Sequence, residues 1–240
     1  ITAGSGDDFV STGDGANTIT LGTNLTSADT IVGGGGSDTL AFTDSNNAAD
    51  DLNNVSGIET ITLGTTATTS VTTVDGLVAS GATLTVDGTA LTSLQTLTFN
   101  GAAESDGKFS ITGGAGNDTI TGGSQADTID GGAGNNLIDA GAGNDSVLGG
   151  AGNDTLKLDW SSINLSNIDG GAGTDTVSFA GSSGNFTVSG TTLSSVLTNT
   201  EYLDFSGTGG TATVSLGGSD IQKILGVAAQ TTTASTAALD

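Results

Sequence analysis

The feature that most constrains the fold is a nine-residue repeat that runs without a gap from residue 113 to residue 157. Its five copies are GGAGNDTIT, GGSQADTID, GGAGNNLID, AGAGNDSVL and GGAGNDTLK. Apart from Gln125, small residues occupy positions one, two and four, while an acid or amide occupies position six and an aliphatic residue position eight. A short, unbroken period indicates a solenoid in which each copy stacks on its neighbours.

Each copy is predicted to be a glycine-rich turn followed by a three-residue strand with one inward side chain. The inward residues are Ile120, Ile129, Ile138, Val147 and Leu156. The Gly-Gly-x-Gly segment reverses the chain, because glycine takes positive φ without steric cost. Two copies then complete one loop of a flattened right-handed coil, and successive loops stack roughly 4.8 Å apart.

The residues at position six are predicted to meet in pairs across adjacent loops. The pairs are Asp118 with Asn136, Asp127 with Asp145, and Asn136 with Asp154. Facing carboxylates repel unless a cation lies between them. Calcium suits such a site better than magnesium does, because it accepts about six to eight oxygen ligands in flexible geometry. The glycine turns direct carbonyl oxygens toward the gap, and the first glycines predicted to take part are Gly113, Gly122, Gly131 and Gly149.

The copies resemble the GGxGxDxUx nonapeptide of the RTX (repeats-in-toxin) family, a calcium-binding pattern. The resemblance implies a parallel β-roll and export from a Gram-negative cell by type I secretion. Carried over by position, it implies that Asp118, Asp127, Asp145 and Asp154 ligate calcium through their side chains. Asn136 departs from the pattern and is expected to weaken the two sites it shares. Asp127 and Asp145 form the one pair in the array with a carboxylate on both sides.

Less regular copies lie outside this array. AGSGDDFVS and TGDGANTIT place Asp8 and Asn17 at position six, GGGGSDTLA places Asp38 there, and GGAGTDTVS places Asp175 there. Asp8, Asp38 and Asp175 are therefore further candidate calcium ligands. The copy around Asp38 has no partner copy that the period identifies, so a calcium site there is left open.

The charge of the chain supports a metal-dependent fold. The 240 residues carry a formal charge of −23, and the acids are nearly all Asp, dispersed among Gly and Thr as in turns and metal loops. So acidic a chain excludes nucleic acid as a partner and disfavours anionic membrane surfaces. It lacks cysteine, so no disulfide holds the fold. No hydrophobic stretch is long enough for a transmembrane helix, and the missing initiator Met suggests a segment of a longer polypeptide.

The fold class predicted is all-β, a parallel right-handed β-solenoid in which RTX β-roll sections alternate with wider, Thr-rich, β-helix-like rungs. In those rungs the alternation of apolar residues with Thr predicts strands at Glu59–Leu63, Thr83–Val86 and Thr96–Phe99. The predicted divisions are 1–41, 42–112, 113–178 with an insertion at 158–169, and 179–240. This alternation also resembles the repeats of calcium-dependent bacterial surface-layer (S-layer) proteins.

Three further features leave alternatives open. Glu59 and Glu201 occupy matching places in two longer repeats, and capping a turn or satisfying backbone amides is favoured over a catalytic pair. Trp160 is expected to be a core or cap residue rather than a sugar-stacking platform. The helix-like segment Asp220–Ala229 is compatible with a secretion signal, a terminal cap or a junction to more protein.

The chain is not expected to be an enzyme. It contains no His, Cys or Arg, which excludes a Ser-His-Asp triad, a zinc site with imidazole ligands and a guanidinium clamp. The favoured function is a secreted calcium-binding structural protein that folds on export and self-assembles into an S-layer, sheet or filament. The alternative is an RTX stalk, spacer or export-folding module of a larger adhesin, toxin or secreted enzyme. An ice- or sugar-binding face on the Thr-rich rungs is a third option.

The favoured function predicts that the partners are further copies of the chain, in a homo-oligomer or polymer. Cell-surface glycan could be bound through parts outside this segment. The predicted location is extracellular, at the bacterial cell surface.

Overall fold

Stacked parallel β-strands form the whole framework of the computed structural model, which describes residues 1–43, 52–64, 68–159, 167–180, 186–189, 196–204 and 212–215. Every strand pair in these ranges is parallel, and the result is a β-solenoid of about seven turns. Parallel pairing is what the repeat demands, because each loop returns the chain to the same side in the same direction. The predicted parallel β-solenoid is confirmed.

Two long sheets form the broad faces of the solenoid. The nine-stranded sheet contains β2 (Thr18–Gly22), β4 (Thr39–Phe42), β6 (Thr60–Leu63), β8 (Thr83–Asp87), β10 (Lys108–Gly114), β12 (Thr128–Gly132), β14 (Ser146–Ala151), β16 (Asn167–Ala172) and β19 (Leu197–Thr198). The seven-stranded sheet contains β7 (Thr69–Thr72), β9 (Leu97–Asn100), β11 (Thr119–Thr121), β13 (Leu137–Asp139), β15 (Thr155–Asp159), β17 (Thr176–Ala180) and β20 (Tyr202–Asp204). Within each sheet the strands stack in chain order, so the solenoid advances steadily from one end to the other.

Two smaller sheets accompany them. A three-stranded sheet contains β1 (Phe9–Ser11), β3 (Thr30–Val32) and β5 (Val55–Ser56), and a two-stranded sheet contains β18 (Phe186–Ser189) and β21 (Ala212–Ser215).

The aliphatic residues of the repeat lie directly above one another in the core. Ile120 pairs with Ile138, and Ile138 pairs with Leu156 along the seven-stranded sheet. Ile129 pairs with Val147 in the facing sheet. All five are almost completely buried, and the flanking residues of each strand point outward. One inward side chain per strand is therefore enough to form a hydrophobic core, because stacking joins these residues into a continuous column.

The Thr-rich rungs belong to the same stack as the repeat array. Strands β6 and β8 continue the nine-stranded sheet into β10, and β9 continues the seven-stranded sheet into β11. The three strands predicted for this region are present with ends shifted by one residue or less. The core is wider here, and the rings of Phe99 and Phe109 meet edge to face with centroids 5.1 Å apart.

The insertion at 158–169 does not interrupt the stack. Its first residues extend β15, and its last three form the start of β16, where Ile168 pairs with Val147 in the core. Trp160 and Asp220–Ala229 lie outside the described residues. Within the described ranges, no helix has the length and apolar character needed to cross a membrane.

Candidate calcium sites

The position-six side chains form a hydrogen-bonded ladder along the turn edge of the solenoid. The N–H of Asp118 donates to the side-chain oxygen of Asn136 at 2.9 Å, and the N–H of Asn136 donates to Asp154 Oδ1 at 2.7 Å. On the opposite edge the N–H of Asp127 donates to Asp145 Oδ1 at 2.9 Å. All three pairs expected from the period are therefore in direct contact. One oxygen of each accepting side chain forms a hydrogen bond with a backbone N–H of the preceding turn.

The ladder continues where the spacing is no longer regular. The N–H of Asp154 donates to Asp175 Oδ1 at 2.8 Å, so the insertion changes the sequence separation but keeps the contact. The N–H of Asp175 donates to Glu201 Oε2 at 2.7 Å. Asp127–Asp145 is therefore not the only pair with an acid on both sides. The period could not identify the other two pairs, because the connecting segments are not whole multiples of nine residues.

The N-terminal copies show the same arrangement. Asp38 accepts a bond from the N–H of Asn17 through Oδ1 and donates its own N–H to Glu59 Oε2 at 2.7 Å. These are the partners that the period did not identify for Asp38. The N–H of Asp8 donates to Asp29 Oδ1, and Asp29 is buried. Asp29 was missed in the sequence, although its Asp-Thr-Ile context is the same as in the regular copies.

The other carboxylate oxygen faces a backbone carbonyl across a small gap that glycine keeps open. A Cβ added to Gly122 would lie 2.6 Å from Asp127 Oδ2 and would clash with the carbonyl oxygen of Ala140, one turn later. We call this space a cell. It is bounded by the position-one residue of a copy, the position-six side chain of the same copy and a carbonyl of the next turn. The equivalent cells are Gly33–Asp38–Gly57, Gly113–Asp118–Gly131, Gly131–Asn136–Gly149, Gly149–Asp154–Gly170 and Gly170–Asp175–Asn199.

Four of the buried carboxylate oxygens have no hydrogen-bond partner among the described residues. They are Oδ2 of Asp8, Asp38, Asp154 and Asp175. In three of these, the oxygen borders a cell in which a carbonyl oxygen is the facing group. Two acceptors without a hydrogen between them are unfavourable in a buried site. A cation is the group that such a cell accommodates.

Asn136 fills the equivalent cell with its own amide. Its Nδ2 donates to the carbonyl oxygen of Gly149 at 3.2 Å and to that of Gly134 at 3.4 Å. The amide thus supplies the hydrogens that the cells of Asp38, Asp154 and Asp175 lack. At Asp118 and Asp127 the N–H groups of Gly114 and Gly123 donate to Oδ2 at 2.7 Å. The predicted weakening of calcium binding at Asn136 has a physical basis in this contact, because the cell is already satisfied without a metal.

The predicted glycines divide into two groups. The carbonyls of Gly131 and Gly149 face a position-six side chain of the preceding turn, as expected. Gly113 and Gly122 instead leave room in their cells, because a Cβ at either position would clash with the carboxylate of Asp118 or Asp127. The carbonyls of Ala140 and Gly170 were missed, because the sequence alone does not show which turn supplies the facing oxygen.

Burial raises the pKa of each acid in the main ladder above its usual 3.8. For Asp145 burial, reinforced by the charge of Asp127, raises the pKa to about 6. For Asp175 burial, reinforced by the charges of Asp154, Glu201 and Asp169, also raises the pKa to about 6. Hydrogen bonds from backbone N–H groups act in the opposite direction without cancelling the effect.

The donor set fits calcium. It consists of carboxylate and carbonyl oxygens, with no nitrogen or sulfur ligand, which suits a hard cation. A second group of acids, Asp75, Glu104 and Asp106, lies together in the Thr-rich rungs. There Glu104 is buried but accepts hydrogen bonds from the N–H groups of Val78 and Gly107, so its charge is already compensated.

Comparison with known proteins agrees with this chemistry. The model of the RTX calcium-binding nonapeptide repeat matches four segments, at residues 1–23, 25–47, 110–138 and 121–156. No curated protein and no solved structure matches the chain significantly. Most ladder residues between Asp8 and Asp154 lie within the matched segments, whereas Glu59, Asp175 and Glu201 lie outside them. The four matched segments are similar to the RTX calcium-binding nonapeptide repeat, and repeats of this kind imply calcium binding.

Proposed function

We propose that this chain is a non-enzymatic structural module, secreted by a bacterium, that folds when it meets calcium outside the cell and then assembles with copies of itself at the cell surface. The observation that carries the calcium step is the set of buried, unpartnered carboxylate oxygens that face carbonyls in the cells. Without a cation, a chain with a charge of −23 would have to bury these groups uncompensated.

In this proposal each acid binds a backbone N–H with one oxygen and calcium with the other. Oδ1 of Asp154 and of Asp175 accepts the N–H of the preceding turn, while Oδ2 turns to the cell. Calcium, when bound there, supplies the positive charge between carboxylate and carbonyl. Each cell joins two adjacent turns, because its carboxylate and carbonyl come from different loops of the chain. Binding is therefore coupled to stacking, and the free energy of binding becomes free energy of folding.

Calcium-dependent folding is tested by circular dichroism of the full chain. We expect a weaker β-sheet signal and lower stability in chelator than in millimolar calcium, since extracellular calcium modules bind in roughly the 10⁻⁴ to 10⁻³ M range. Magnesium at the same concentration serves as the control and should be less effective. Identical β content with and without calcium would refute the proposal.

Self-assembly is supported by the shape of the module and by its resemblance to surface-layer repeats. The two long sheets present outward rows of Thr and Ser in register, such as Thr18, Thr39 and Thr60. Such a surface suits repeated side-by-side contacts better than a single cleft would. Analytical ultracentrifugation with calcium should show large species that disappear in chelator.

The second candidate is a stalk or spacer in a larger adhesin, toxin or secreted enzyme. The unbranched stack favours it: about seven turns at about 4.8 Å each give a rod roughly 34 Å long. Persistent monomers at high protein concentration in calcium would favour the spacer over self-assembly.

A further inference from the structure

Glu59 and Glu201 end two separate stretches of the ladder in the same way. Each accepts the N–H of the preceding ladder acid at 2.7 Å, from Asp38 and Asp175 respectively. The backbone geometry also matches: the N–H groups of Glu59 and of the next residue both donate to the carbonyl of Asp38. The corresponding pair at Glu201 does the same with the carbonyl of Asp175.

The residue two positions before each glutamate supplies the facing carbonyl. Gly57 places its oxygen in the Asp38 cell, and Asn199 places its oxygen in the Asp175 cell. Both take positive φ, at 62° and 48°, and Asn199 is the one non-glycine residue to do so among the described residues. Positive φ is uncommon outside glycine and points to a local requirement. The shared pattern is Gly/Asn-x-Glu, with the carbonyl and the carboxylate on one short turn.

Both of these cells contain an uncompensated carboxylate oxygen. Asp38 and Asp175 are completely buried, and Oδ2 of each is without a partner among the described residues. In each of these cells a carbonyl oxygen faces the unpartnered Oδ2, and the glutamate carboxylate contacts the N–H of the same aspartate. The arrangement occurs twice, across connections of different length. A groove lined by Gly57, Glu59 and Val78 opens beside this turn.

We propose that Glu59 and Glu201 are calcium ligands, each completing a site with the Oδ2 of Asp38 or Asp175 and the carbonyl of Gly57 or Asn199. This inference rests on the calcium-dependent fold proposed above but extends it to residues outside the nonapeptide. The Gly/Asn-x-Glu turn takes the place of a further nonapeptide and closes each calcium-binding stretch where the Thr-rich rungs follow.

The variants Glu59→Gln and Glu201→Gln separate a ligand from a simple cap. Glutamine keeps an oxygen that can accept the N–H bond of Asp38 or Asp175, so a capping role survives the change. It loses the anionic charge that calcium requires. We expect each variant to bind one calcium fewer than the unmodified chain in equilibrium dialysis, and the double variant two fewer. Asp87→Asn makes the same charge change at the end of β8, where the Asp87 carboxylate accepts the N–H and hydroxyl of Thr89, and should bind the full number.

Terbium luminescence gives a second measurement that needs no glutamate variant. Tyr202, the single tyrosine of the chain, directly follows Glu201 and is 60% exposed. Terbium that replaces calcium in the Asp175 cell should show tyrosine-sensitised emission. Tyr202→Phe and Glu201→Gln should each abolish this component, whereas Glu59→Gln should leave it unchanged.

A full calcium count in both glutamine variants, or a Tyr202-dependent terbium emission that persists in Glu201→Gln, would overturn this inference while the calcium-dependent fold stands. If the unmodified chain bound no calcium at all, the proposed function would fail together with it.

Discussion

At the residue scale, each position-six side chain performs two separate tasks. One oxygen accepts a backbone N–H from the preceding turn, and the other faces a carbonyl across the cell. An aspartate whose Oδ2 has no N–H donor, such as Asp154 or Asp175, needs a cation for the second task, whereas Asn136 performs it with its own amide. The choice between acid and amide at this position therefore decides whether a given turn depends on calcium.

Asn136→Asp should create a new calcium site. The substituted carboxylate would face the carbonyl of Gly149, as Asp154 faces that of Gly170. We expect one more calcium per chain and a loss of about 1–3 kcal/mol of stability in chelator, because a buried donor is replaced by an acceptor. Equilibrium dialysis and denaturant unfolding measure the two effects.

The matched control for that change is Asn135→Asp. Asn135 lies next to Asn136 and accepts the N–H of Asn153 on the exposed edge, so the charge change is the same but no cell is altered. The reciprocal variant Asp154→Asn should lose one calcium and gain stability in chelator. An unchanged calcium count in both Asn136→Asp and Asp154→Asn would show that the cells do not hold the metal.

At the element scale, the glycine turn determines whether a cell is open. Position one carries no side chain in most copies, and the exceptions are Ala3, Thr12 and Ala140. The turn therefore does more than reverse the chain, because the missing Cβ leaves room for an ion between two loops.

Gly149→Ala should close one cell without breaking the strand that follows. The added Cβ would lie 2.7 Å from Asp154 Oδ2 and would also clash with the carbonyl oxygen of Gly170. We expect the loss of one calcium and a decrease of about 1–3 kcal/mol in stability in the presence of calcium. Gly4→Ala, where nothing lies within 4 Å of the added Cβ, should change stability by less than about 0.5 kcal/mol. Equal effects of the two variants would contradict the role of the cell.

At the scale of the whole molecule, the ladder concentrates negative charge inside the fold. Protons can neutralise part of that charge when calcium is absent. The folded pKa of Asp145 and of Asp175 is about 6, above the usual 3.8, so the folded state binds more protons than the unfolded state between these values. The stability of the calcium-free chain should therefore fall as pH rises through this window.

We expect the calcium-free chain to be more stable at pH 5 than at pH 7, as measured by denaturant unfolding in calcium-depleted buffer. With saturating calcium the order should reverse, because protons compete with the metal for the same carboxylates. The same pH dependence in both buffers would show that the buried acids and the metal act independently.

Comparison of the sequence with the structure shows which relations a period can reveal. The pairing of Asp127 with Asp145, and the stacking of Ile120 on Ile138, follow from a repeat that keeps its phase. The pairing of Asp175 with Glu201 does not, because it depends on how an irregular connection folds back. The expected structural role of Glu201 was nonetheless confirmed, since it accepts a backbone amide. The orientation of the Asn136 amide is a matter of single atoms, which no pattern of residue types records.

The ladder also gives the molecule a direction. In every ladder bond the N–H belongs to the earlier turn and the accepting oxygen to the later one. Removing turns from the amino end exposes an acceptor, which water satisfies readily. Removing turns from the carboxyl end leaves the last N–H to water and also removes the carbonyl that completes the last remaining cell. Nested deletions from the two ends should therefore be unequal, and the rod should tolerate shortening far better from its amino end than from its carboxyl end.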